Sequence, residues 1–251
     1  MQAFKEHIAK DGFRLRGTSP SRIDGFSDVV FGFALTLLVV SLEVPHTYDE
    51  LHNVLLGFVP FFICFVFLIS VWWAHYRFFR RYGLHDAGTI FINSTLLFTL
   101  LFYVYPLKFL FTLIAAQATG HAPTHFFTSD LQQRELMIVY GAGFSAIYFC
   151  LSALYWNAWR QRVHLGLNPL ETTLTVASMW DEFGVACVGL LCCLAARLLP
   201  PAESGNAGWI FFMVGIWKTV HGFIAGRHIR AARARTSPAD LRSLPHTTQS
   251  R

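Results

Sequence analysis

The chain of 251 residues is 54% hydrophobic and only 14% charged, with a mean hydropathy of +0.43 and 25 phenylalanines. A soluble core of this size has no use for so much apolar surface, so the composition excludes an ordinary soluble domain and indicates a polytopic membrane protein. The net charge of +5 is distributed by loop, which makes it a topology signal and not a nucleic-acid surface.

Residues 1–21 are polar and basic, with no apolar run of the kind a cleaved signal peptide needs, and Ser19-Pro20-Ser21 marks a turn. A first span is expected over 23–44. It opens on Arg22, Asp24, Ser27 and Asp28, continues through fourteen uncharged residues from Val29 to Leu42, and closes at Glu43 and Pro45. From Asp28 to Glu43 a helix rises only about 22 Å, short of a hydrocarbon core of about 30 Å, so the polar opening must be held by other helices. Intramembrane charge is read first as a functional site.

Further spans are expected at about 54–79, ending in Trp72, Trp73, His75 and Arg77; at 89–116, containing Asn93 and interrupted by Pro106 and Lys108; at 135–159; within 174–199; and at 209–225. Asp181 and Glu182 are expected at the membrane-surface start of the fifth. Lys218 is expected to snorkel, and His221 to be a hydrogen-bonded core histidine. From Arg227 onward the chain reads as a basic, disordered tail. The division expected is therefore an N-terminal segment 1–21, a six-helix transmembrane domain 22–226 and a tail 227–251. Threading six spans puts sixteen of the twenty Lys and Arg on one side, which makes both termini cytoplasmic.

The five cysteines all fall in apolar segments and read as packing residues, with neither a disulfide framework nor a zinc spacing. His121 and His125 are separated by Pro123 and read as a loop. No phosphate loop, nucleophile elbow or nucleic-acid module occurs, so no enzyme, no resident cofactor or metal and no nucleic-acid partner is expected.

On a helical wheel Arg22, Phe26, Val29, Phe33, Thr36 and Val40 form one stripe, stepping alternately by four and three. Taken alone, such a stripe is ordinary packing. Ser27 and Asp28 point away from it, toward neighbouring helices, and Trp72 and His75 stand at the same depth with donors to offer.

The string Arg22-x-x-x-Phe26-Ser27-Asp28 opening the first of six spans resembles the transmembrane-protein-175 family of potassium channels. Thr36 in the apolar run, Trp72-x-x-His75 in the second span, and Asn93 followed by Pro106 in the third are similar to that family's pattern. The resemblance implies an all-α channel with a central pore lined by the first helix of each subunit, four copies making the pore. It implies potassium as the permeant ion, with no Thr-Val-Gly-Tyr-Gly filter, a string this chain lacks. It also places the constriction at Phe33, with Val29, Thr36 and Val40 lining the path. Arg22, Phe26, Ser27, Asp28, Trp72, His75 and Asn93 become the packing network. The family usually carries Ile or Leu where Phe33 stands, and a second His where Tyr76 follows His75. The setting implied is a prokaryotic plasma membrane. The alternative function is a proton-permeable channel or transporter using Asp28, His75, Lys218 or His221, and a third reading is a non-conducting scaffold.

Overall fold

The computed structural model describes residues 8–40, 47–48, 58–118, 127 and 129–235. Its elements among these residues are all helices: α1 Arg22–Val40, α2 Phe58–Tyr82, α3 Ala87–Ala118, α4 Asp130–Arg160, α5 Pro169–Leu198, a 3-10 segment Pro201–Phe212, and α6 Met213–Arg235. Five stretches are long and apolar enough to cross a membrane, one each in α2 to α5 and a fifth running through the 3-10 segment into α6. The described part of α1 is not among them. Its 19 residues rise about 28 Å and carry Arg22, Asp24 and Asp28 in the first two turns. His121, His125 and the Val44-Pro45 close of the first span lie outside the described residues.

Three expectations are corrected. Pro106 does not interrupt its helix, since α3 runs on through it to Ala118. The fifth helix starts well before residue 174. Asn168 caps it, its side chain accepting from Glu171 N at 2.8 Å while the Glu171 carboxylate accepts from Asn168 N at 3.0 Å, with Pro169 in the first turn. Asp181 and Glu182 therefore stand in mid-helix, about 18 Å along α5, and not at its start. The tail is also shorter than expected. Residues 227–235 continue α6 as helix, because Arg, Ala, His and Ile sustain helical propensity until Ser237-Pro238.

α4 and α5 form the most extensive helix pair. Gly141 and Gly189 let them approach: a Cβ on either would collide with the other's carbonyl oxygen. Ser145 sits beside this crossing and donates to Gly141 O at 2.8 Å or Ala186 O at 2.9 Å. α3 packs on α4, and α1 leans on α2 and α3. α6 lies on α5 with the 3-10 segment between them.

At the end of the bundle where the basic residues gather, the N-terminal segment is built into the structure. Phe13 is fully buried, edge-on to Tyr82 at 5.3 Å. Arg14 and Arg16 both pair with Glu171, at 3.0 and 2.8 Å, and Arg14 N donates to the same carboxylate at 2.9 Å. Arg81 pairs with Asp11, and Arg16 N and Gly17 N donate to the carbonyls of Arg81 and Arg80. This segment staples the C-terminal end of α2 to the N-terminal end of α5. Asp86 performs the same office for α3. It accepts from Gly88 N, Thr89 N and Thr89 Oγ1, and Asn157 of α4 donates to it at 3.3 Å. Burial pushes the Asp86 carboxyl up, but hydrogen bonds from Thr89, Gln161 and Asn157 outweigh it and hold the group at about 2.

Two expected outcomes follow from these caps. Glu171→Gln leaves two guanidinium groups facing a neutral amide and should cost about 3 kcal/mol, read as a fall in the thermal midpoint of the detergent-solubilised protein. Asp86→Ala should cost about 1 kcal/mol. Because the folded-state pKa of Asp86 is depressed, its charge contributes fully above its ordinary 3.8 and is lost as pH falls toward about 2. The difference between variant and wild type should therefore be complete at neutral pH and shrink over that acid window.

Candidate functional site

α1 begins with a cap the sequence reading passed over. Ser21 N and Ser21 Oγ both donate to Asp24 Oδ2, at 2.8 and 2.9 Å, and Asp24 N stands 3.3 Å from Ser21 Oγ. The Ser-x-x-Asp spacing was available as a helix-start signal.

One turn on, the helix is keyed to its neighbours by a chain of hydrogen bonds whose polarity can be followed proton by proton. Ser27 is fully buried and donates to Ile23 O at 2.8 Å. Its oxygen is then an acceptor, and Asn93 Nδ2 of α3 donates to it at 2.9 Å. That fixes the amide, so Asn93 Oδ1 faces His75 of α2 at 2.8 Å and can only accept. His75 must carry its proton on Nε2, while Nδ1, a bare lone pair, lies buried without a partner among the described residues. The imidazole packs between Phe31 and Phe79, with centroids 5.5 and 4.6 Å away. Three helices thus meet on one buried relay of a hydroxyl, an amide and an imidazole.

A second contact runs beside it. Trp72 Nε1 of α2 donates to Asp28 Oδ1 at 2.8 Å. Trp72 stacks on Tyr76 at 5.5 Å, and Tyr76 carries the Arg80 guanidinium over its ring. The polar residues therefore divide into a three-residue relay and a separate Asp28–Trp72 pair instead of one network. Arg22 and Phe26 belong to neither and are exposed.

The wheel stripe lies on the opposite side from Ser27. Val29 is 70% exposed, Phe33 56%, and Thr36 is exposed as well, although all stand on an apolar helix. The chain's own helices cover the other face, where Phe31, Ala34 and Leu38 are buried. Gly25 and Gly32 lie on the open side with nothing within reach. Thr36 Oγ1 donates to Phe33 O at 2.7 Å. Its proton is turned back to the backbone and its lone pairs are left for the open face. The side chain of Val40, at the last described turn of α1, lies outside the described residues.

A third constellation joins α5 to α6. Lys218 Nζ lies 2.7 Å from Asp181 Oδ2 and 3.9 Å from Glu182 Oε2, and His221 Nδ1 lies 3.6 Å from Asp181 Oδ1. Trp217 Nε1 donates to Asp181 O at 3.1 Å. Lys218 is thus paired across helices instead of simply snorkelling, and His221 stands beyond hydrogen-bond distance of the carboxylate it faces. Among the described residues no group of His, Cys, Asp and Glu is arranged to hold a metal ion.

Comparison with known proteins agrees with this architecture. Residues 22–103, the stretch holding α1, α2 and most of α3, match the family described as endosomal/lysosomal potassium channel TMEM175. A protein named potassium channel from Marivirga tractuosa is 34% identical over 230 residues, covering 87% of this chain and 92% of its own length. A potassium channel of Chamaesiphon minutus is 29% identical over 93 residues, 34% of this chain and 46% of its own. The crystal structure of a variant of the potassium channel MtTMEM175, in complex with a nanobody–MBP fusion protein, superposes with a TM-score of 0.77 at 34% identity. It covers 88% of this chain and 100% of that one. With a relative this similar along nearly its whole length, the chain belongs to the TMEM175 family of potassium channels and is not an enzyme.

Proposed function

We propose that the chain is one subunit of a potassium-permeable channel whose pore is lined by α1, with four copies around the axis in a plasma membrane. The observation that carries this reading is the open face of α1. Phe26, Val29, Phe33 and Thr36 stand uncovered on a helix whose opposite face is buried and keyed in place. The stripe joins an arginine at its mouth, apolar side chains and the Thr36 hydroxyl on one line, an arrangement suited to an axis shared with other copies.

In this reading the four Phe33 rings form the narrowest level and hold the path closed by steric bulk and dewetting. One turn along, four Thr36 hydroxyl oxygens point their lone pairs at the axis, the polarity a partly dehydrated cation requires. Selectivity comes from this short ring and not from backbone carbonyls, consistent with the missing Thr-Val-Gly-Tyr-Gly string. The Ser27–Asn93–His75 relay and the Asp28–Trp72 bond act as positioning contacts. They hold the rotation of α1 that presents Phe33 and Thr36 together.

Proteoliposome flux under a potassium gradient tests the assignment. Phe33→Ala should raise potassium flux by about threefold or more by widening the constriction, and Thr36→Ala should lower the potassium-over-sodium ratio by at least about twofold. Wild-type flux in Phe33→Ala together with a wild-type ratio in Thr36→Ala would overturn the pore assignment. Asn93→Leu removes the shared partner of Ser27 and His75. It should cost about 2 kcal/mol in the detergent-solubilised protein and reduce flux through misrotation of α1, an outcome read by thermal midpoint and flux together.

A further inference from the structure

We propose that Asp181, Glu182, Lys218 and His221 form a proton-binding site between α5 and α6, separate from the α1 face, with the proton resident on Glu182.

The site stands on charge and geometry. Two carboxylates face one ammonium and one imidazole within 4.0 Å. With the imidazole neutral and both acids ionised, the set carries one uncompensated negative charge. Asp181 Oδ2 is satisfied by Lys218 at 2.7 Å. Glu182 is 3% exposed, its Oε2 has no hydrogen-bond partner, and the nearest cation, Lys218, stands 3.9 Å away. Its position is about 20 Å along an apolar helix, far from either end. An ionised carboxylate without a donor at such a place is strongly disfavoured, whereas the neutral acid carries no charge and needs only an acceptor for its O–H. One proton on Glu182 makes the set neutral and leaves the Asp181–Lys218 pair intact.

The other elements do not supply that missing charge. Arg77 of α2 carries a positive charge in the neighbourhood of Glu182 but is itself exposed, and among the described residues it makes no ion pair with either acid. From α4, Tyr148 and Tyr155 face the carboxylates, and both are neutral phenols at ordinary pH. His221 stacks on Trp217, centroids 5.6 Å apart, and its Nδ1 turns toward the free Asp181 Oδ1.

Release places a second negative charge beside Asp181 and Lys218 at the seam that docks α6. Two adjacent residues of that helix meet α5 here. Trp217 fills the space over Gly184, where any Cβ would overlap the indole, and Lys218 reaches Asp181 one position on. The protonation state of Glu182 thus sets how firmly α6 is held on α5, while α1 rests on α2 and α3.

Infrared difference spectroscopy of the full-length protein in nanodiscs, titrated from about pH 5 to about pH 9, tests the site. The expected result is a protonated-carboxyl C=O band at neutral pH that disappears as pH rises, is missing in Glu182→Gln, and does not change when potassium replaces choline at fixed pH. Lys218→Met removes the neighbouring cation that favours the carboxylate, so loss of the band should move about one pH unit or more upward. Glu182→Gln mimics the neutral acid and should fold with a thermal midpoint that no longer depends on pH over this range. Absence of the band in wild type, its persistence in Glu182→Gln, or an unmoved titration in Lys218→Met would overturn the assignment. Loss of the band on adding potassium would identify a metal cation in place of the proton. None of these readouts involves flux, so failure here leaves the α1 pore untouched, and failure of the pore leaves this site standing.

Discussion

The hydrogen bond from Asn93 to Ser27 decides which side of α1 is open. A helix turns 100° per residue, so a register error of one position would carry Ser27 out of the contact with α3 and bring Asp28 or Phe26 into its place. Neither substitutes: a carboxylate would accept from the Asn93 amide only by bringing a charge into a buried site, and a phenyl ring offers the amide no acceptor. Because His75 and Asn93 are themselves buried, the whole relay fails together if any member is displaced. In a hydrocarbon surrounding no water replaces the lost partners, which makes this small contact a stronger determinant of rotation than the larger apolar face beside it. Phe31, Ala34 and Leu38 would pack in several rotations; Ser27 has one.

The same economy governs the other end of the bundle. Glu171 begins α5 as half of its cap and ends as the anchor of Arg14 and Arg16. One carboxylate satisfies a helix terminus and ties down a segment 155 residues away in sequence. The basic residues that serve as a topology signal are therefore of two kinds. Arg14, Arg16 and Arg81 are committed to carboxylates inside the fold, while Arg227 and Arg230 along α6 are available to water or lipid headgroups. Counting charges by loop treats them alike.

The helices and their order were legible because hydropathy reports burial in lipid directly. So were the residues that meet around Ser27, since a seryl, an aspartyl, an indole and an imidazole at matching depth have few other partners. What was not legible was pairing between distant helices. Asp181 and Glu182 looked like the surface start of α5 because hydropathy treats every charge as a boundary, and nothing local shows that Lys218 lies across the seam. The capping signal Asn168-Pro169-x-Glu171 would have placed the start correctly and left the two acids stranded in mid-helix, where a partner is obligatory. Arg14 and Arg16 were opaque for the same reason: a basic segment that closes on a buried Glu has the composition of one that does not.

α1 carries Arg22, Asp24 and Asp28 in its first two turns ahead of an apolar run, and on the proposed reading that polar opening is required. A helix surrounded by lipid and protein must be apolar wherever protein does not satisfy it. A helix that lines an aqueous path is released from that rule along one stripe, and there it can carry Thr36, two glycines and a charged mouth at Arg22. The release costs stability, since that stripe gains nothing from burial within the chain. The other side must then hold more than its share, through the Ser21–Asp24 cap, the Ser27 relay and the Asp28–Trp72 bond, all within the first two turns. The polar cluster at the start of α1 and the open stripe beyond it are on this view one device. The first exists so that the second can face away from the protein's own core without the helix turning to bury it.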